Sequence, residues 1–209
     1  MRSNILGNPG RLVGRALAPL ALAAMASGYF SPALAGGGGT ITGKVDAAPA
    51  KYLEETVVYL KSVPGTYKPS TITVDQKGMK FLPHVAAITA GDTVSYANHD
   101  GVDHNVFSPD NEGFNLGTFK PNETRSNTFK TANVSYSELC SVHPEMLGFL
   151  FVGQNPYHAV VDGGGNFTIK DVPPGEYQIA VWNSKLKAAD QTVKVDAGGS
   201  ATVTFSVKR

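Results

Sequence analysis

This sequence predicts an all-β protein built as a β-sandwich or barrel. Three observations carry that prediction. Beyond residue 39, nearly every segment is a short run alternating apolar and polar residues, the period that buries one face of a strand. Turn formers separate those runs, at Ala90-Gly91-Asp92, Pro109-Asp110-Asn111 and Lys120-Pro121-Asn122, where they supply the dihedrals a reversal needs. No long apolar stripe with a 3.6-residue period follows the first 35 residues, which argues against helical layers. Many short strands at this spacing indicate a sandwich or barrel.

Taken in order, residues 1–35 read as an export signal. Arg2, Arg11 and Arg15 form a basic n-region, residues 17–26 an apolar stretch, and Ala33-Leu34-Ala35 a small-x-small cleavage site. The apolar run falls short of the roughly 20 residues a membrane helix needs. Cleavage after Ala35 is therefore expected, leaving no membrane span and a protein located in the periplasm. Gly36 to Gly39 form a linker. Strands are expected at 40–45, 56–60, 71–74, 93–96, 127–129, 134–139 and 148–152, then within 159–169, 171–182 and 202–207. In the C-terminal stretch, alternation puts Phe167, Ile169, Tyr177, Ile179 and Val181 on buried faces.

Charge excludes some partners. Removing the three leader arginines from 18 basic residues, against 17 acidic ones, turns a net charge of +1 into −2. Such a chain has no electrostatic footprint for nucleic acid or an anionic membrane.

The chain has one cysteine, so no internal disulfide is available. In an oxidising compartment a lone thiol is a liability unless it is buried or coordinated. A buried, inert cysteine is the plain alternative. This one stands in Cys140-Ser-Val-His143-Pro-Glu-Met146. A thiolate, an imidazole and a thioether on one short loop are ligands that select copper, and the blue-copper arrangement adds a second histidine. His104, in Asp103-His104-Asn105-Val106, is the candidate. Strand 134–139 leads into Cys140 and strand 148–152 leaves Met146, so the loop sits at one pole of a sandwich.

With these residues in view, the segment around 70–153 resembles the cupredoxins. Its C-x-x-H-x-x-M spacing is similar to that of the amicyanin type, and the His-Asn-Val motif matches the upstream ligand motif of that family. The wider pattern Asp75-Gln76-x-Gly78, Phe81-x-Pro83 and His104-Asn105-Val106-Phe107-Ser108 resembles plastocyanin-like proteins of methylamine utilisation. The resemblance implies a Greek-key β-sandwich with one type 1 copper, held by Cys140, His104 and His143 with Met146 as weak axial ligand. It places Asn105 beside the sulfur, its backbone N–H pointing at the thiolate and its side chain tying two loops together. It makes Pro144 a stiffener of the loop that removes a competing donor. Glu145 departs from the pattern by setting an acid inside the ligand loop.

The ends of the chain resemble a different family, the carboxypeptidase regulatory-like domain of prealbumin type. Asp162-Gly163 with Phe167, then Pro173-Pro174-Gly175-Glu176-Tyr177, carry this resemblance. Its two preceding strands occur far upstream, near Gly43–Val45 and Val57–Leu60. The expected organisation is a discontinuous sandwich from 36–67 and 157–209 with a cupredoxin domain at 68–156 inserted into it. Two consecutive domains remain the alternative.

The other histidines are expected outside the site: His99 solvent-exposed, His84 at the surface or core edge, His158 without a partner ligand. Five histidines cannot supply a multicopper oxidase or nitrite reductase. A Met in the set argues against structural zinc, and nothing marks the orienting group of a Cys-His hydrolase. The expected function is one-electron transfer without catalysis, to or from a dehydrogenase or c-type cytochrome. By resemblance the electron leaves through His143, with Pro144, Leu147 and Phe149 forming the docking patch. Copper storage or delivery and a non-redox interaction module are the alternatives.

Overall fold

The computed structural model describes residues 37–209; the export signal read at 1–35 lies outside them. Sixteen strands and one short 3-10 helix make up the described chain, and none of its helices is long and apolar enough to cross a membrane. In order they are β1 Gly39–Ala48, the 3-10 helix Ala50–Glu55, β2 Thr56–Leu60, β3 Thr71–Gln76, β4 Phe81–Leu82, β5 Val85–Thr89, β6 Thr93–Asn98, β7 His104–Ser108 and β8 Phe114–Phe119. There follow β9 Thr124–Thr128, β10 Val134–Leu139, β11 Leu147–Gly153, β12 His158–Val160, β13 Asn166–Val172, β14 Gly175–Asn183, β15 Gln191–Val195 and β16 Ser200–Lys208.

Two of the four sheets come from the middle of the chain, in the orders β5-β11-β10-β7-β8 and β4-β3-β6-β9. Their inner faces enclose Val74, Phe81, Ile88, Val94, Tyr96, Val106, Phe119, Phe129, Tyr136 and Leu150, with Cys140 and Met146 in the same cluster. Burying each such side chain contributes about 1.5–3 kcal/mol, which is what closes these sheets on each other. β10 and β11 pair antiparallel from Val134↔Val152 to Leu139↔Leu147. The ligand loop is therefore the hairpin connection at the end of this ladder.

The other two sheets, β13-β1-β16 and β12-β2-β14-β15, take strands from both ends of the described chain. β1 runs antiparallel to β13 and parallel to β16; β2 pairs antiparallel with β12 and β14. Their core holds Ile41, Val45, Val58, Leu60, Phe167, Ile169, Ile179, Val203 and Phe205. Phe167, Ile169 and Ile179 are buried as the alternation implies. Tyr177 and Val181 are half-buried, and the Tyr177 hydroxyl turns to donate to the Pro173 carbonyl at 2.9 Å.

A third cluster joins the two sandwiches. Val57 of β2 meets Val85 of β5 and Phe149 and Phe151 of β11, with Tyr59, Ala87 and Trp182 packed against them. The Trp182 ring lies 5.8 Å from that of Phe149 and 6.1 Å from that of Phe151.

Candidate metal centre

His104 opens β7, fully buried, and the loop before it is pinned at several points. Asn98, also fully buried, donates from Nδ2 to the carbonyls of Val102 and Phe119 and accepts the Asp100 N–H at 3.0 Å. Asp100 in turn accepts the N–H groups of Gly78 and Met79, at 2.6 and 3.0 Å, and its Oδ2 lies 2.8 Å from His104 Nε2. Desolvation works against the Asp100 anion, but the hydrogen bonds from Met79, His104 and Gly78 outweigh it and hold the carboxyl below its ordinary range. A carboxylate only accepts, so Nε2 carries the proton and Nδ1 presents a lone pair on the far side of the ring.

That lone pair faces the ligand loop. His104 Nδ1 lies 3.0 Å from Nδ1 of His143 and 4.0 Å from Sγ of Cys140, and the sulfur lies 3.8 Å from His143 Nδ1. A triangle with these edges has its centre about 2.1 Å from each corner, the range of metal–nitrogen and metal–sulfur bonds (about 2.0–2.3 Å). The donor set and its spacing thus fit a soft-ligand metal ion. Met146 is buried in the same cluster as Cys140, and its N–H closes a turn onto the His143 carbonyl at 3.0 Å.

Asn105 ties the two sides together. Its backbone N–H points at Cys140 Sγ at 3.4 Å, its Oδ1 accepts the Ser141 N–H at 3.2 Å, and its Nδ2 donates to Asn115 Oδ1 at 2.9 Å. Pro144 and Glu145 are exposed on the loop, whereas His143 is half-buried. The donor atoms that converge belong to His104, Cys140 and His143; Glu145 is not among them. Two positions before the cysteine, Glu138 is fully buried and accepts the Tyr96 hydroxyl at 2.7 Å. Burial pushes its carboxyl up to about 7 against the opposing effect of that hydroxyl.

The remaining histidines lie elsewhere. His99 is exposed and bonds Asp75 at 2.8 Å. His84 sits at the start of β5, about half exposed. His158 is at the junction end of β12, where its Nε2 is buried without a partner. One expectation needs correction: Phe149 is not part of a docking patch. It is 8% exposed and packs under Trp182, because its side of β11 faces the second sandwich. Asp100 is the contributor that sequence reasoning passed over. Its signal was its position four residues before His104, where a carboxylate can orient a ligating ring.

Residues 69–153 match the model of copper binding proteins of the plastocyanin/azurin family. The fold of this segment is a cupredoxin β-sandwich. Solved structures similar to this chain include a reduced tryptophan-to-tyrosine mutant of amicyanin, 30% identical over 39% of this chain and 81% of that one, with a TM-score of 0.37. A Cu(I) mutant of amicyanin is 28% identical over the same shares, also at 0.37. Beyond the cupredoxin domain, residues 153–203 match domain II of polysaccharide lyase family 4, a different family from the prealbumin type expected there. Comparison with curated proteins gave no match.

Proposed function

We propose that this protein is an exported type 1 copper protein that carries single electrons in the periplasm to or from a redox partner such as a dehydrogenase or a c-type cytochrome. The observation that carries the reading is the convergence of one buried thiol and two imidazole nitrogens within 4.8 Å of one another, next to a buried methionine. Cys140, His104 and His143 would hold the ion with Met146 as the weak fourth ligand, and bound copper would supply a one-electron couple.

The chain's own residues keep that site rigid. Asp100 fixes the ring and tautomer of His104. The Asn105 N–H stabilises negative charge on the sulfur, and its side chain locks β7 to the ligand loop. Such contacts tune ligand orientation and potential. Half-buried His143 is the route to the surface. Around this pole the exposed apolar side chains Met79, Leu82, Val102, Val142 and Leu147 support a docking face whose recognition is by shape and apolar contact. The strand pairing supports an organisation in which the cupredoxin domain is inserted into a sandwich built from the two ends of the chain.

The test is addition of Cu(II) to the purified protein, with visible and EPR spectra. An intense thiolate-to-copper band, absent in Cys140→Ser, is expected. Colourless, readily chelated Cu(I) would favour copper delivery instead, and no uptake at all would reject the copper reading.

A further inference from the structure

His84 lies outside the donor cluster, yet its ring makes contacts in three directions. Its Nδ1 is 3.0 Å from the carbonyl oxygen of Leu147, the residue immediately after Met146. Its Nε2 faces Oε1 of Glu55, in the second sandwich, at 3.6 Å. Its ring stands edge-on to Phe149, with centroids 5.6 Å apart. The backbone joins in, since the Phe149 N–H donates to the His84 carbonyl at 2.9 Å. The His84 side chain adds a second tie to the same strand two residues back, on the Leu147 carbonyl. Glu55 is itself held, accepting the Ser184 hydroxyl and offering its carbonyl to the Ser184 N–H at 3.3 Å.

We propose that His84 is a positioning residue for the ligand loop, and that through Glu55 the second sandwich fixes where Met146 enters the metal site. Most of the loop between Cys140 and Met146 is exposed. Its anchors are the Ser141 N–H on Asn105 at one end and the Met146 turn at the other. A methionine side chain has three rotatable bonds and adapts to its surroundings, so the approach of its sulfur depends on how firmly its backbone is held. The His84 ring holds that backbone from outside, one residue on. The chain Ser184, Glu55, His84, Leu147 gives the second sandwich a mechanical role at a site to which it contributes no ligand.

The inference rests on the copper reading of the site, so its test has one arm that needs no copper. In the metal-free protein, amide hydrogen exchange is measured at Met146 and Gly148 in the parent, His84→Ala, His84→Asn and Glu55→Gln. His84→Ala is expected to speed exchange there about fivefold, the factor matching the net contribution of one hydrogen bond, with the urea midpoint and exchange elsewhere in the cupredoxin core unchanged. His84→Asn, whose amide nitrogen can replace Nδ1, restores slow exchange. Glu55→Gln gives an intermediate effect that does not add to that of His84→Ala. In the copper-loaded protein, His84→Ala shifts the intensity ratio of the visible bands and the reduction potential, and His84→Asn returns both towards the parent. Unchanged loop exchange in His84→Ala overturns the proposal, as does acceleration that merely follows global stability. A parent protein that takes up no copper defeats the copper reading, while the exchange arm still decides whether His84 holds the loop.

Discussion

Asp100 does two tasks with one carboxylate. One oxygen accepts the Gly78 N–H at the β3–β4 turn; the other accepts the Met79 N–H and faces the buried His104 ring. Removing such a carboxylate typically costs 10–100-fold in metal affinity. Asp100→Ala should therefore weaken copper binding by about that factor, measured by competition with a chelator, while Asp103→Ala on the same loop leaves it unchanged. His158 belongs to the same scale but acts on stability. Burial pulls its pKa down to about 4, against the opposing charge of Asp92. The unfolded chain therefore binds a proton on this residue more readily than the native one. Stability is complete above about pH 6.5, falls as pH drops from there to about 4, and is flat below. The 2.5-unit difference corresponds to about 3 kcal/mol. In His158→Gln, urea unfolding midpoints measured between pH 7 and pH 4 should lose that component of their slope.

At the scale of elements, the tightest approach in the second sandwich is at Gly43 of β1. A Cβ there would overlap the Val203 carbonyl oxygen and the Phe167 ring, on opposite neighbours of the strand. Gly43→Ala should destabilise the protein by about 1–3 kcal/mol through overpacking, read as a lower urea midpoint with the copper spectrum retained. Elements differed in how clearly the sequence marked them. β10 alternates, β11 is a longer apolar run of aromatic and branched residues, and the two flank a short loop, so the ligand hairpin could be read directly; Cys140, His143 and Met146 are local in sequence and needed no tertiary knowledge. β5 escaped notice because Val85-Ala86-Ala87-Ile88-Thr89 is buried on most positions of both faces and does not alternate. β15 is a short, largely exposed strand with little apolar signal. Phe149 was misplaced for the same kind of reason. Alternation says that a side chain leaves the sheet on one face, but not that another sandwich waits there.

For the whole molecule, the junction around Trp182 is what makes two sandwiches behave as one. Trp182→Ala removes the ring that covers Phe149 and Phe151. A fully buried tryptophan costs about 3–5 kcal/mol on truncation, and a half-buried one less. We expect about 2 kcal/mol, and calorimetry in which a single unfolding transition splits in two. The all-β class was legible in the sequence because strand period and turn chemistry are local. The junction was not, because its parts come from residues 57, 85, 149 and 182, and only the three-dimensional path of the chain brings them together.

That path also dictates an order of assembly. Ile41 of β1 pairs with Ala201 of β16, and Leu60 of β2 with Ile179 of β14. The central sandwich has every partner it needs within its own stretch of chain. Strands β1 and β2 emerge first but stay unpaired edges, open to intermolecular pairing, until the last fifty residues arrive, and such distant pairings are slow to form. Shortening the C-terminus by one strand would leave β1 without its parallel neighbour, so damage at the last residues would be felt first at the opposite end of the described chain.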